Sequence, residues 1–510
     1  MALSLLCLPF AQANTELGKA SFTEKFELIE AWLKSEPAQA EAAIDLMLQG
    51  RLYYQRKTGE LVIVDEHKSG APATAFADNS PLIIKKKRDY KRVSVNNTLR
   101  GELRQIQAQR QLASPDRDTR LNAVQILISQ LTEPDRRLLQ QRVEQESDSD
   151  IQEWLRLGLA ILDLPTERGA QAVTTISGYL SVEAMDALRA VEASAEIYPA
   201  AQSALKKIEQ TRKRYETAQT LYFGLSLGSV LVLAGIGLAI TFGVMGVINM
   251  AHGELIMLGA YTTFVMQQLL PGQPGTALLL SIPAAFAVSG LVGIGIQRGV
   301  IRYLHGRPLE TLLATFGISL ILQQAVRSIF SPLNQTVVTP EWLSGSWQIN
   351  AALSLTLNRL FVIGFCLVVF FALLALLKRS SLGLQVRAVS QNRAMARAMG
   401  VRSERVDALT FGLGSGVAGL AGVALSLLTN VGPNMGQAYI IDSFMVVVFG
   451  GVGSLWGTLV SGLSLGVANK LIEPWAGAVL AKILVLVFLV LFIQKNPRGL
   501  FPQRGRAAEN

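Results

Sequence analysis

Cysteine and histidine are scarce in this sequence of 510 residues, which contains two cysteines and three histidines. Cys7 and Cys366 lie far apart, so they do not form the disulfide framework of a small secreted domain. The histidines, His67, His252 and His305, are equally scattered, and no cluster has the spacing of a structural zinc site. Composition therefore excludes folds that depend on disulfides or on structural zinc.

A phosphate-binding loop is also missing. No Gly-x-x-x-x-Gly-Lys-[Ser/Thr] segment occurs, and the glycine-rich stretch 412–422 has no lysine and lies in an apolar run. We therefore expect that this chain does not hydrolyse ATP itself and holds no cofactor of its own.

Charged residues are few in the second part of the chain. Of 85 charged side chains (47 basic plus 38 acidic), 59 precede residue 221 and 26 follow, giving net charges of −1 and +10. Glycine shows the opposite distribution, with 8 before residue 221 and 36 after it. The first part has a soluble composition, and the second is apolar enough to be mostly membrane. Its positive charge lies in short loops between apolar runs, a membrane pattern and not a nucleic-acid surface.

The first residues have the pattern of a secretory signal. Residues 2–10 form a short apolar run, followed by the A-x-A sequence Ala11-Gln12-Ala13. No Lys or Arg precedes Lys19, so we expect the true start to lie within a longer leader. We predict a signal peptide at 1–13 and an extracytoplasmic domain at 14–215; the alternative is a buried first helix.

Residues 14–215 are predicted to be mostly helical, with one small β-hairpin. Lys57-Thr58-Gly59-Glu60 separates two strand-like runs within 51–64, which is typical of a hairpin. Ser114-Pro115-Asp116 and Ser147-Asp148-Ser149-Asp150 have the composition of helix N-caps. No nucleophile–base arrangement occurs in this region, so no activity is predicted for it.

From Leu221 onward, most apolar runs approach the roughly 20 residues that cross the hydrocarbon core of a bilayer. We predict an all-α membrane protein, a polytopic bundle of about 8–9 spans with broken or re-entrant helices, over residues 216–502. A cytoplasmic tail is expected at 503–510. The runs are 221–243, 247–270, 276–296, 309–330, 358–377, 408–429, 439–452, 455–472 and 478–494.

The basic residues predict the orientation of this bundle. Clusters at 298–307, 378–405 and 495–506 fall on one side only if the short run 439–452 counts as a crossing. That side is the cytoplasm by the positive-inside rule, so the chain before Leu221 is outside. The basic group at 206–214 favours the opposite orientation, but an exported signal overrides it. We predict a multi-pass protein of the bacterial inner membrane.

Strongly polar residues at membrane depth mark either a transport path or a helix break. Asn249, His252 and Glu254 lie within six residues between two apolar runs, and Gly253 is able to break the helix there. They are candidates to line a solute path; the alternative is a structural role in capping a broken helix. Gln323, in a later run, is a further path candidate.

Asp442 is another candidate in the short run 439–452. It is expected either at the outer mouth of a path or as the N-cap of a half-helix. The basic loop 378–407 contains a stretch, Gln391–Met399, that is predicted to be helical, with Gly400 as its C-cap. A short amphipathic helix on the cytoplasmic face is suited to the groove of an ATPase.

Three stretches resemble the inner-membrane permeases of ABC importers for branched-chain amino acids and urea. They are VINMAHGELIMLGAY at 247–261, RAVSQNRAMARAMGVRSERVDALTFGLGSGVAGLAGVALS at 387–426, and FMVVVFGGVGSLWG at 444–457. The resemblance covers essentially all of 221–502. The exported domain and the Gly432–Gly436 segment resemble the urea-type permease. Branched-chain amino acid permeases usually lack such an N-terminal domain.

The resemblance implies a complex of two different permeases, two ATPase subunits that bind ATP and Mg²⁺, and an extracytoplasmic binding protein in the lipid bilayer. It also implies an ATPase-coupling loop, although Ser390-Gln391 departs from the Ala-Glu of many relatives. The residues carried over to that loop are Arg387, Gln391, Arg393, Arg397, Gly400 and Arg402.

We therefore interpret the chain as a permease subunit, and not an enzyme, that imports urea or short-chain amides by alternating access. A neutral solute suits a path lined by Asn249, His252, Gln323 and Gln324. Transport of branched-chain amino acids is the nearest alternative, and a passive urea facilitator is a weaker one. A signalling protein would need a cytoplasmic output domain, and only 16 residues follow Gln494.

Overall fold

The structure is a computed structural model that describes residues 15–129, 131–304 and 306–501. The predicted signal peptide at 1–13 and the predicted tail at 503–510 lie outside the described residues. The chain divides into two compact units, residues 1–210 and 211–510. Because the structure is 71% helical and the residues that it describes form no closed barrel, the all-α polytopic class is confirmed.

The N-terminal unit consists of short helices and one small sheet. Its helices and strands are labelled in chain order from Phe22. They are α1 (Phe22–Ser35), α2 (Pro37–Gln49), β1 (Leu52–Gln55), β2 (Leu61–Val64), β3 (Pro72–Ala75), β4 (Pro81–Ile83), β5 (Tyr90–Arg92), α3 (Asn97–Gln111), α4 (Arg117–Ile128), α5 (Asp135–Gln145), α6 (Ser149–Asp163), α7 (Gly169–Ile176) and α8 (Val182–Arg189).

The sheet is larger than the predicted hairpin. β1 and β2 pair antiparallel, with Tyr53 opposite Val62, but they are the centre of a five-stranded sheet in the order β4-β3-β2-β1-β5. β3 and β4 each begin with a proline, and β3 is otherwise small residues, so neither has the β-branched and aromatic composition that indicates a strand.

The two predicted N-caps are present. Asp116 accepts a hydrogen bond from the backbone N–H of Thr119 at the start of α4. Asp148 accepts from the backbone N–H groups of Asp150 and Ile151 at the start of α6. Each cap satisfies donors that the first turn of a helix leaves unpaired, which fixes where these helices begin.

The second unit is a bundle of long helices with one two-stranded hairpin. The first of its helices, α9, begins before residue 211 and is a single element of 48 residues. The elements are α9 (Tyr198–Met245), α10 (His252–Leu269), α11 (Pro274–Gly299), α12 (Pro308–Phe330), β6 (Ser346–Asn350), β7 (Leu353–Thr356), α13 (Leu357–Arg379), α14 (Ser381–Gln391), α15 (Arg393–Ala398), α16 (Ser403–Ser426), α17 (Met435–Gly450) and α18 (Leu455–Lys495).

Among the described residues, six helices are long and apolar enough to cross a membrane: α9, α11, α12, α13, α16 and α18. The remaining predicted runs correspond to three special cases. α10 has only 18 residues and begins with His-Gly-Glu, α17 has 16 residues, and α18 is divided by non-helical Gly477. The six long helices and these three short or broken elements together account for the nine predicted runs.

Glycines let the helices of this bundle approach closely. A Cβ atom at Gly228 would lie 2.8 Å from the Cα of Leu463, and one at Gly224 would lie 2.7 Å from the Cα of Val467. A Cβ atom at Gly466 would overlap Gly228 in turn. The two four-residue glycine spacings of α9 and α18 therefore face each other, as in other helix pairs in lipid.

Contacts within the bundle identify its two ends. At one end, the carbonyl groups of Phe449 and Gly450 accept hydrogen bonds from Leu500 and Phe501, and Val244 packs beside α14. At the other end, Gln335 and Val431 exchange two backbone hydrogen bonds, and Gln267 bonds to Val338. The basic segment 380–402 and the chain's last described residues thus share one end.

Candidate solute path and coupling segment

The helix break predicted near residue 250 is present, but Gly253 does not cause it. α9 ends at Met245, and Gly246 has a φ of +65°, which a side chain would strain. α10 begins at His252, so Gly253 lies inside its first turn. Its role is close packing, because a Cβ atom there would overlap the backbone of Gly436.

Polar side chains satisfy the backbone around this break. Asn249 accepts a hydrogen bond from the backbone N–H of Ala251 at 3.1 Å, and Thr315 accepts one from Met250 at 3.1 Å. His252 Nε2 donates to the carbonyl of Ala234 at 2.9 Å, which fixes the tautomer because a carbonyl only accepts. These hydrogen bonds support the structural alternative for Asn249 and His252, in which they stabilise the ends of a broken helix.

Glu254 lies on the inner face of α10, opposite α12. Its Oε1 accepts hydrogen bonds from Ser319 Oγ at 3.0 Å and from Gln323 Nε2 at 2.9 Å. The structure therefore brings the predicted path residues Glu254 and Gln323 together, with Ser319 as a partner that the sequence did not indicate.

This cluster is incompletely hydrogen-bonded. Among the described residues, Asn249 Nδ2, His252 Nδ1 and Glu254 Oε2 are buried without a partner. Unsatisfied polar atoms at membrane depth are costly, so their presence in one segment points to function as well as to structure. All five path candidates are at most 5% exposed, so none lines an open channel in this conformation.

Asp442 belongs to a different part of the bundle, and its predicted N-cap role is wrong. α17 begins at Met435, directly after Asn434, and Asp442 lies in the middle of that helix. Asp442 Oδ2 instead accepts a hydrogen bond from Lys482 Nζ at 3.1 Å, across to the second half of α18.

The coupling segment consists of two helices, where the sequence predicted one from Gln391 to Met399. α14 ends at Gln391, and the side chain of Asn392 caps α15 by accepting from the N–H of Met395. Gly400 has a φ of +87°, so it fulfils its predicted C-cap role. Asparagine favours caps over helix interiors, which explains the break.

The basic residues of this segment have separate roles. Arg393 donates two hydrogen bonds to Asp407, at 2.7 and 2.8 Å, and Arg397 donates to Ser403 Oγ at 2.6 Å. Arg387 donates to the carbonyl of Leu377 at the end of α13. These three arginines hold the segment to α13 and α16.

The exposed side chains of the segment offer a contact surface. Gln391 and Arg402 are exposed, as are the apolar side chains of Leu384, Met395 and Met399. Exposed methionines at the end of a helix pair, beside free polar groups, are typical of protein–protein contacts.

Two side chains that contact the candidate residues were missed at the level of sequence: Asp407, which pairs with Arg393, and Lys482, which pairs with Asp442. Asp407 and Lys482 each had a signal, because each is an ionisable residue at the edge or inside of an apolar run. Their partners could not be assigned, since Asp407 contacts a residue 14 positions away and Lys482 one 40 positions away.

The fold and these clusters define a class: a polytopic permease with a broken helix at membrane depth and a basic segment at one end. The profile described as "Branched-chain amino acid transport system / permease component" matches residues 220–493. The chain belongs to this family. It is thus a transporter subunit of the inner membrane, not an enzyme, and the family implies ATPase and substrate-binding partners.

Individual relatives agree with this assignment. The high-affinity branched-chain amino acid permease BraD of Pseudomonas aeruginosa is 32% identical over 298 residues, which is 56% of this chain and 96% of the relative. LivH of Escherichia coli K12, with the same description, is 30% identical over 295 residues, 55% of this chain and 94% of LivH. The probable LivH of Methanocaldococcus jannaschii is 26% identical over 288 residues, 53% of this chain and 88% of the relative. No solved structure matches the chain.

The names of these relatives specify the transport of branched-chain amino acids. This solute class agrees with our alternative interpretation better than with the interpretation as a urea or amide permease.

Proposed function

We propose that this chain is a permease subunit of an ATP-driven importer for branched-chain or similar aliphatic amino acids. The observation that carries the proposal is its 30–32% identity to BraD and LivH over 94–96% of their length. In this proposal a second, homologous permease completes the membrane part, and ATP and Mg²⁺ are bound by the ATPase subunits. The N-terminal unit faces the periplasm after removal of a signal peptide.

Solute movement in this proposal depends on the broken segment between α9 and α10. Its backbone is irregular at a depth where irregular backbone is tolerated only when buried or when it borders a cavity. The unpaired Oε2 of Glu254 is an acceptor for an N–H group, and Gln323 already orients the carboxylate from the other side. Alternating access would expose this acceptor to each side in turn.

Coupling to the ATPase in this proposal uses the exposed surface of α14 and α15. Arg393 and Asp407 hold the segment rigidly to α16, so a push on Met395 and Met399 is transmitted to the bundle. A rigid connection is needed because packed elements move as units and not by continuous deformation.

Uptake of labelled leucine and of labelled urea, in cells with and without the gene, tests the solute. We expect ATP-dependent leucine uptake to be lost on deletion and urea uptake to be unchanged. Loss of urea uptake with intact leucine uptake would contradict the proposal.

A double variant, Met395→Asp with Met399→Asp, tests the coupling surface. We expect uptake to be lost while the protein still inserts in the membrane, because carboxylates cannot enter an apolar groove without cost. The control is Met395→Leu with Met399→Leu, which preserves apolar contact and is expected to retain uptake. Normal uptake by the aspartate variant would contradict the coupling role.

Urea or a short amide is the second candidate solute. The observation that favours it is the set of neutral hydrogen-bonding side chains around Glu254, namely Ser319, Gln323 and Asn249, whose amide nitrogen has no partner among the described residues. In addition, the family match begins at residue 220 and so leaves out the N-terminal unit, which is the extension that resembles the urea-type permease. Glu254→Gln discriminates, since a neutral acceptor suffices for urea but not for an ammonium group.

A further inference from the structure

A second polar region of the bundle has no role in the mechanism described above. It is a cavity of about 260 Å³ between α9, α13, α16, α17 and α18. This volume is below the usual range for drug-sized ligands, so the cavity suits a small metabolite. Five charged side chains line it: Arg359, Asp442, Lys470, Glu473 and Lys482.

The charges in this cavity do not balance. Lys482 pairs with Asp442 at 3.1 Å. Lys470 pairs at 2.6 Å with Glu473, which lies one turn after it in α18. Arg359 lies with its guanidinium 4.4 Å from the ring of Phe223 and, among the described residues, has no carboxylate within salt-bridge distance. The cavity therefore has one cation in excess, and that cation is a planar donor suited to a carboxylate.

The buried acid of the cavity has a partner that is easily displaced. Asp442 is 5% exposed, whereas the side chain of Lys482 is 52% exposed. A lysine carries its ammonium group on a flexible four-carbon stem, so the Lys482 side chain can move aside and a second ammonium group can replace it at the carboxylate.

The opposite wall of the cavity is aliphatic. Leu227, Val230 and Leu231 contribute from α9, Leu425 from the end of α16, and Leu428 from the turn that follows it. Val230 and Leu231 are almost fully buried. An apolar wall beside a few charged groups is the usual composition of a site for a small amphipathic ligand.

We propose that this cavity binds a zwitterionic α-amino acid with an aliphatic side chain. The carboxylate of the ligand pairs with Arg359, its ammonium group pairs with Asp442, and its side chain packs on the leucines and valine of α9. This inference rests on the proposed function, because it assumes that the solute is an amino acid. It adds a second site, separate from Glu254, and names the residues that recognise the amino acid there.

Equilibrium binding of labelled leucine to the full chain in lipid nanodiscs tests the site. Arg359→Gln is expected to weaken binding at least about tenfold, because a charge-assisted hydrogen bond is lost. Asp442→Asn is expected to do the same. Arg359→Lys, which keeps the charge, is expected to retain part of the affinity and also controls for folding.

The matched control is Arg302→Gln, since Arg302 lies over the ring of Tyr303, as Arg359 lies over that of Phe223, and does not line the cavity. It is expected to leave leucine binding unchanged. Two ligand analogues, 4-methylpentanoate and 3-methylbutylamine, lack the ammonium and the carboxylate respectively. Each is expected to compete with leucine only weakly, whereas equal competition by either would overturn the zwitterion assignment.

The outcomes separate this inference from the proposed function. If the wild-type chain binds leucine and Arg359→Gln binds it equally well, the inference is wrong while the proposed function stands. If the wild-type chain binds no leucine and the uptake experiment shows urea, both are wrong. Loss of leucine binding in Arg359→Gln alone, with Arg302→Gln unaffected, supports the site.

Discussion

In the N-terminal unit Arg117 donates hydrogen bonds to Asp148 and Asp150, both at 2.6 Å, and its side chain is 46% exposed. In the membrane unit Arg393 makes two hydrogen bonds to Asp407, whose side chain is 5% exposed. The contacts are alike in length, but water surrounds the first and is excluded from the second. Burial decides the energy of an ion pair, because an unpaired charge is hydrated at the surface and unsatisfied in the interior.

A similar contrast holds for glycine. Gly158 in α6 lies near the side-chain ends of Leu139 and Ile128, which can move. Gly259 in α10 lies against the backbone of Gly419, which cannot. One unit thus depends on apolar side chains and exposed charges, and the other on backbone contact and a few buried charges.

Removing one arginine from each unit is the strongest test of this comparison. We expect Arg393→Met to destabilise the membrane unit by about 3 kcal/mol, because Asp407 is left buried without a cation. Arg117→Met is expected to cost no more than about 1 kcal/mol. The measurement is unfolding of the full chain in mixed micelles, with hydrogen exchange reporting each unit separately.

A second variant checks the cause of the larger effect. Arg393→Met combined with Asp407→Asn removes both charges, so most of the loss should be recovered. Equal destabilisation by Arg117→Met and Arg393→Met would mean that burial does not distinguish the two pairs.

Small additions of volume give the next largest effect. Gly259→Ala places a Cβ atom against the backbone of Gly419, so α10 and α16 must separate, at a cost of about 2 kcal/mol. Gly158→Ala meets only side-chain ends, at 3.1 and 3.3 Å, and is expected to cost less. Both are measured by the same unfolding experiment.

The control for the helix itself is Gly295→Ala in α11, where no atom lies within 4 Å of the added Cβ. Alanine favours a helix over glycine by about 1 kcal/mol, so this variant should be neutral or stabilising. A loss at Gly295 as large as that at Gly259 would show that close packing is not the cause.

The sequence predicted the class of the protein better than its sites, for a physical reason. Apolar length and charge distribution depend on neighbours in sequence, and they indicated the bundle, the helix break near Asn249 and the caps at Asp116 and Asp148. Contacts between distant segments leave little local signal. Pairs such as Asp442 with Lys482, and Glu254 with Gln323, are therefore visible only in the structure.

The same limit explains two local interpretations that differ from the structure: a helix break at Gly253, and an N-cap at Asp442, which was one of its two alternatives. Gly253 and Asp442 both have residue types that fit a break or a cap. The helix that contains Gly253 nevertheless begins at His252, within the predicted run 247–270, and the helix that contains Asp442 begins at Met435, ahead of the predicted run 439–452. Packing of Gly253 against Gly436 requires continuous helices on both sides, and tertiary contact of this kind overrides local preference.

Acid should distinguish the two units with a smaller effect. Hydrogen bonds from Thr119 lower the pKa of Asp116, and the hydrogen bond from Arg117 lowers the pKa of Asp148. A carboxylate whose folded pKa lies below its unfolded value of about 3.9 binds fewer protons in the folded state. Its stabilisation is therefore complete above that value and lost as the pH falls through the folded pKa.

We expect the helices that begin at Arg117 and Ser149 to lose hydrogen-exchange protection below about pH 4, while α10 and α16 keep theirs. The control is Asp148→Asn, because asparagine caps a helix about as well as aspartate but does not titrate in this range. In that variant α6 should become less sensitive to acid than in the wild type. Loss of protection in α6, α10 and α16 at the same pH would contradict the comparison. It would mean that the membrane unit depends on the same carboxylates as the N-terminal unit.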